Sequence, residues 1–210
     1  MRVRATAALA AVAGVAMAHG GRRRFLRWGA TDAEIADLQP GDELIANADI
    51  TATRAITIQR SPDAVWPWIA QLGQGRGGFY SYDVLENLLG FDIHSADHIV
   101  PDWQRLEVND EIRLAPTVGL KAAIVDPGRA LVLQGSLPIA RRPPFDSTWA
   151  FILREQADGT TRLLSRERYA YRRWWAPLVV EPTQAISFVM SRKMLLGIKT
   201  RVEGVVAATD

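Results

Sequence analysis

The carboxylate at Glu167 is the strongest candidate for chemistry in this chain. It lies in the run from Thr160 to Tyr171, where period-two alternation puts Leu163, Ser165, Glu167 and Tyr169 on one face and Arg162, Leu164, Arg166, Arg168 and Ala170 on the other. Three arginines assign their face to water, so Glu167 points inward. Burial there would raise its pKa and make it a general acid, or an internal basic partner would hold it ionised. In the plainer reading Glu167 bonds an Arg or Trp of a neighbouring strand and only fixes the barrel. His94 and His98, with Asp92 and Asp97 beside them, have the i, i+4 spacing that lets two imidazoles share a divalent ion on a helix. The intervening residues lack the glutamate of a zincin motif, and no helical pattern surrounds them, so no metal is expected. A polar loop ordered by side-chain to backbone bonds is the alternative, and His94 as an acid or base at a pocket edge is a third. An enzyme assembled from these parts would use Glu167 as acid, His94 as base and Tyr80 or Tyr169 as oxyanion donor.

Other chemistries are excluded more firmly. The chain of 210 residues has no cysteine, which removes disulfides, thiolate zinc sites and cysteine nucleophiles. The glycine-rich stretch from Gly73 to Gly78 lacks Gly-Lys-Ser/Thr and follows a helical pattern instead of linking a strand to the helix it opens, so it is neither a phosphate loop nor a dinucleotide fingerprint. It reads as a flexible connection that brings Phe79, Tyr80 and Tyr82 to a cavity mouth, or lets them plug one end of the core. No cofactor is called for. The sequence pI of about 9.2 does not mark a nucleic-acid binder. Residues 1–30 hold six arginines and no acid, residues 31–50 hold six acids and no base, and the remainder is close to neutral.

The elements that must position these residues follow from periodicity. Thr31 to Glu34 has the form of a capping box opening a short helix, which Pro40-Gly41 must end. A strand over 52–59 runs into Ser61-Pro62, an N-cap and N1 proline, and a helix carrying Val65, Trp68, Ile69 and Leu72 on one face. A second short helix is predicted over 83–89. Strands follow over 111–115, 121–126, 130–135, 147–156 and 160–171, with Asp158-Gly159 as a hairpin turn between the two longest. Pro182 opens a long helix whose apolar stripe is Ile186, Val189, Met190, Met194, Ile198, Val202 and Val205. The order is α+β, with an antiparallel sheet and no βαβ alternation.

The strand over 52–59 leading into Ser61-Pro-Asp-Ala-Val-Trp-Pro-Trp-Ile69, with the terminal helix at the far end, resembles the START-like, helix-grip superfamily (SRPBCC, polyketide cyclase/dehydrase-like). The stretch from Gly73 to Gly90 and its continuation from Asp92 to Asp97 are similar to an uncharacterised bacterial branch of it. The resemblance covers roughly residues 50–206 and implies a curved antiparallel sheet wrapped around the long helix, with an apolar cavity between them. Members include lipid and hormone binders, aromatic cyclases and hydrolytic or dehydrating enzymes, so it specifies fold and leaves function open. The expectation drawn from it is a binder of an apolar small molecule or lipid, with Tyr80, Tyr82, His94, Trp103, Trp149, Phe151, Glu167, Tyr169, Met190 and Met194 as ligand-binding residues. A cyclase or dehydratase using the same cavity is the alternative, and a membrane-tethered interaction module with a filled cavity is the second.

The N-terminal tip bears on location. Fourteen uncharged residues over 5–18 are flanked by Arg2, Arg4, Arg22, Arg23, Arg24 and Arg27, with Ala16-Met-Ala18 resembling a cleavage site. The run would rise about 21 Å as a helix, short of a hydrocarbon core of about 30 Å. The expectation is a segment 1–27 that tethers the protein to a membrane, with export after cleavage near Ala18 and a cytoplasmic address as alternatives. An acidic linker 28–50, the domain 51–206 and a tail 207–210 complete the division. Trp174-Trp175, beside Arg172-Arg173, could dip into lipid headgroups or fold back over the sheet.

Overall fold

The computed structural model describes residues 21–88, 90–135 and 143–204. Six strands, β1 (Ile50–Ile58), β2 (Glu111–Ala115), β3 (Val118–Asp126), β4 (Ala130–Gly135), β5 (Phe145–Glu155) and β6 (Thr161–Tyr171), form one antiparallel sheet in the order β1-β6-β5-β4-β3-β2. Sequential hairpins build β2 to β6, and β1 closes the edge against β6, pairing Ala52 with Glu167 and Arg54 with Ser165. Short helices α1 (Asp32–Ala36), α2 (Pro62–Ala70) and α3 (Asp83–Leu88) precede β2, and α4 (Ala176–Gly204) ends the described chain. The predicted α+β architecture is the one observed.

The core lies on the inner face of the sheet. Ile58, Ile112, Leu120, Leu131, Leu133, Phe151, Leu153 and Leu163 meet the apolar face of α2 (Val65, Trp68, Ile69, Leu72) and the second half of α4 (Met194, Leu195, Ile198, Val202). Helix α4 approaches the loop at Tyr80 so closely that a Cβ at Gly197 would collide with the Tyr80 carbonyl, which makes glycine obligatory at that crossing. The glycine-rich stretch is a tight reversal with Gly73 bridged to Gly78. Gly78 has φ +68° and rests against the His94 backbone, so the turn is held and not merely permissive.

Two expectations need correction. The long helix begins at Ala176, six residues before Pro182, which lies inside it. Pro177 in the first turn is preorganised for a start there, and Ala176 and Leu178 already close turn bonds to Arg173 and Trp175. The buried face of its first half is also different, because Val180, Gln184 and Ser191 turn inward while Ile186 is 64% and Val189 47% exposed. Val205 lies outside the described residues.

The arginine face of β6 is not open to water. The capping box at Thr31 forms as predicted, with Thr31 N donating to Glu34 Oε2 (2.7 Å) and Glu34 N to Thr31 Oγ1 (3.2 Å). That short helix and the turn after it lie across the outer face of the sheet. Glu34 takes Arg162 (2.7 Å), and Asp42 takes Arg166 (2.9 Å) and Arg168 (3.1 Å). The six acids of 31–50 include the counter-ions of a largely buried basic face.

Candidate ligand cavity

Between the inner face of the sheet and the first half of α4 lies a cavity of about 390 Å³. Its wall is mostly apolar: Phe79, Leu85, Phe91, Ile93, Leu114, Leu120, Phe145, Trp149, Val179, Ile186, Met190 and Met194 contribute. The first half of α4 meets the sheet through Val180, packed with Ile50, Ala52 and Phe145, while Ser187 and Ser191 face the space with short side chains.

At one end of this space a buried charge is neutralised internally. Arg54 is fully buried on β1, and its Nη1 donates to Glu167 Oε1 at 2.5 Å. Ser187 Oγ donates to Glu167 (2.7 Å to Oε2), Ser191 Oγ to Oε1 (3.0 Å), and Tyr169 OH to Oε2 (3.1 Å). Arg54 Nε is taken by the Phe25 carbonyl at 3.0 Å. Burial alone would raise the pKa of Glu167, but the Arg54 guanidinium and three hydroxyl donors outweigh it, and the carboxyl is held below the usual carboxylate range. Tyr169 is pushed well above the usual phenol range, first by burial and then by the Glu167 charge, so its proton stays in place. This is the plainer arrangement foreseen for Glu167, a carboxylate fixed by a neighbouring strand's arginine. A carboxylate held so strongly in its ionised form is poorly suited to donate a proton.

A second carboxyl in the wall is of the opposite kind. Glu86 on α3 is 5% exposed, its Oε2 is buried, and among the described residues nothing bonds that oxygen. Burial, followed by the nearby Asp83 charge, raises its pKa to about 7.

No protein-family model matches the chain, and no curated protein does. Solved structures are similar to it at low identity. A protein from Nitrosospira multiformis is 11% identical over 73% of this chain and 96% of its own, with a TM-score of 0.47. Ara h 8.0201 is 13% identical over 74% and 98%, at 0.43. CalU16 from Micromonospora echinospora is 15% identical over 75% and 86%, at 0.36. The fold itself is read from the sheet order and the enclosed terminal helix. It is a helix grip.

In this helix grip, Trp149, Glu167, Tyr169, Met190 and Met194, among the residues named from sequence, line the cavity. The other named residues do not. Phe151 is wholly buried two residues further along β5, with its ring centroid 4.8 Å from that of Trp149. Tyr80 is buried too: its OH donates to the Trp68 carbonyl (3.1 Å) and accepts from Gln71 (3.0 Å), and burial pushes its pKa up to about 12. Tyr82 borders a shallower hollow on the other side of α3, under Lys193. His94 is outside the wall, its side chain 79% exposed and 3.1 Å from Asp92, because Ile93 takes the inward position in that loop. His98 pairs likewise with Asp97 in solvent. Trp103 is half-buried in a single turn, where its carbonyl holds Arg76. Among the described residues no three His, Cys, Asp or Glu side chains converge as metal ligands.

Sequence reasoning missed Arg54, Ser187, Ser191 and Glu86. Two signals were available: Arg54 is the one charge within a strand whose i±2 neighbours, Ala52 and Ile56, face inward, and Gln184, Ser187 and Ser191 recur at i, i+3 and i+7 on one helix face. Glu86 carries no such signal, since an acid on a short helix ordinarily faces water.

Proposed function

We propose that this protein is a START-like binding protein that takes an apolar small molecule or lipid into the space between the sheet and the first half of α4. The observation that carries the reading is the chemistry of the wall: an apolar surface around about 390 Å³, with the Glu167 carboxylate held by the Arg54 guanidinium and three hydroxyl groups of the protein. Such a space favours burial of an uncharged, largely hydrocarbon ligand. The test uses the purified full chain and the neutral fluorophore N-phenylnaphthylamine. Saturable binding in the micromolar range or tighter is expected, and Val179→Trp, which places an indole at the cavity wall beside Ile186, should weaken it by about tenfold or more. Absence of saturable binding in the unaltered protein, with no apolar molecule extracted from protein purified from cells, would refute the reading.

The exposed side chains support a lipid surface as the source or destination of the ligand. Trp174 is 87% exposed beside Arg172 and Arg173. Leu178, Ile186, Val84 and Leu88, on the two helices that border the cavity, also stand in solvent. No helix among the described residues is long and apolar enough to cross a membrane, and residues 5–18 lie outside the described residues. In our reading this rim rests on an anionic bilayer, with the N-terminal segment as a tether. Flotation of the full chain with phosphatidylserine-containing vesicles should fall severalfold in Trp174→Ala/Leu178→Ser. Flotation that is unchanged in this variant would remove the rim from the account.

A further inference from the structure

The hydroxyl groups of the cavity wall share a property that restricts what can bind. Ser187, Ser191 and Tyr169 all donate to Glu167, a carboxylate with no proton to return. Ser81 donates to the Met190 carbonyl (3.2 Å), Ser147 to that of Gly135 (2.9 Å) and Thr183 to that of Val180 (2.8 Å). The Trp149 Nε1–H is taken by Ser165 Oγ at 2.9 Å. The remaining hydroxyl, on Thr148, belongs to the opposite strand parity, opposite Arg168 on the outer face. The hydroxyl directions are fixed because carbonyls and carboxylates cannot donate, and that of Trp149 because an indole N–H cannot accept. Among the described residues that line it, the wall is therefore rich in acceptor lone pairs and has no uncommitted side-chain donor apart from Glu86 when that carboxyl is protonated.

Among the described residues that line the wall, Glu86 carries a buried oxygen, Oε2, that lacks a partner. A buried acceptor without a donor is costly, and a ligand group that supplies one gains what the free protein lacks. Its neighbours in the wall, Leu85, Phe91 and Ile93, offer nothing else polar at their side chains. An ammonium would have to leave water for a wall whose neighbouring side chains are apolar, a desolvation cost that a hydroxyl does not carry. Extending the cavity-binding reading and resting on it, we propose that the ligand is an apolar molecule bearing a hydroxyl, an alcohol or phenol, whose proton is accepted by Glu86. A ketone or ether on the same skeleton is the poorer ligand.

Protonation gives the proposal a second signature. Glu86 faces Asp83 on its own helix, and the cavity brings it Glu167, neutralised by Arg54, and Tyr169 from β6. Helix α4 contributes no charged side chain to the wall, with Lys193 and Arg201 bordering the hollow beyond α3, and Asp92 and His94 lie in solvent in the following loop. With a pKa raised to about 7, Glu86 becomes a stronger acceptor as it ionises, so preference for a hydroxyl should grow as pH rises. An ether, which desolvates the carboxylate and returns no bond, should bind less well over the same range.

The experiment compares β-naphthol with its methyl ether, which differ by the donor, on the full chain over about pH 5 to 8, below the naphthol's own ionisation. About a tenfold preference for the naphthol is expected at neutral pH, increasing as pH rises through about 7. In Glu86→Gln, whose amide oxygen accepts from the naphthol but whose NH2 also donates to the ether, the preference should shrink and lose its pH dependence. In Glu86→Leu it should vanish. Equal affinity for the two ligands in the unaltered protein, an unchanged pH profile in Glu86→Gln, or tighter binding of β-naphthylmethylamine than of the naphthol would each overturn the proposal while leaving cavity binding intact. Failure of both naphthalenes to bind would instead count against the cavity reading. Should Glu86→Leu not fold, the pH profile of Glu86→Gln decides.

Discussion

Arg54→Leu is expected to destabilise the protein by about 3–5 kcal/mol, the cost of leaving a buried carboxylate without its counter-ion. Arg54 is fully buried and Glu167 nearly so, so neither charge has water to fall back on. The three hydroxyls that remain on Glu167 provide hydrogen bonds and no charge. Equilibrium denaturation monitored by tryptophan fluorescence measures the loss. Glu167→Gln should be destabilising as well, by stranding the guanidinium. The double variant Arg54→Leu/Glu167→Leu should lie above the sum of its single changes, since replacing both members of a buried pair avoids the lone charge. A loss below about 1 kcal/mol for Arg54→Leu would mean that water reaches the pair and that the cavity is wetter than its wall implies. The pH dependence has a definite sign. The folded-state pKa of Glu167 is depressed, so its contribution is present above the unfolded-state pKa and is lost as pH falls through the folded value. In the Glu167→Leu background that part of the acid sensitivity should disappear.

The order of elements was legible because it rests on strong local signals. Ser61-Pro62 starts α2, the turn at Asp158-Gly159 joins β5 to β6, and alternation along β6 puts Glu167 and Tyr169 on the cavity side, as found. Alternation assigns parity, however, and does not say what covers each face. The face carrying Arg162, Arg166 and Arg168 looked solvated because arginines ordinarily are, whereas their partners lie over a hundred residues earlier in sequence. The compensating charge was visible as six acids over 31–50. Matching that block to the arginine face is a step that composition permits and periodicity does not demand. The helix stripe holds at Met194, Ile198 and Val202 and departs only in its first half, for a related reason. Ile186 and Val189 fit an apolar period, but Glu167 is met by donors, so Ser187 and Ser191 take the inward positions, leaving Ile186 at the cavity rim and Val189 partly exposed. His94 was chosen for its chemistry alone, and the loop that carries it turns Ile93 inward instead.

Asp42→Ala is expected to cost about as much as the loss of Arg54, roughly 3–5 kcal/mol, although it lies on the opposite face of the sheet and outside the stretch that resembles a known fold. Its two oxygens hold Arg166 and Arg168, at side-chain exposures of 6% for Asp42, 6% for Arg166 and 12% for Arg168, and Oδ2 also accepts from the Gln39 amide at 3.0 Å. Removing it leaves two like charges side by side on β6. The comparison that isolates burial is Asp37→Ala, which breaks an ion pair of similar kind with Arg154, 3.5 Å apart but with the partners 52% and 36% exposed. That change should cost less than about 1 kcal/mol. Denaturation of the two variants under the same conditions measures the difference, and equal losses would mean that the acidic segment does not bury the arginines. The consequence reaches the cavity through strand parity. Arg166 and Arg168 alternate with Glu167 and Tyr169 along β6, so a strand pulled outward to solvate its arginines also moves the carboxylate and phenol that shape the other side. Asp42→Ala should therefore weaken N-phenylnaphthylamine binding at denaturant-free conditions where Asp37→Ala leaves it unchanged, a distal effect on the cavity transmitted across one strand.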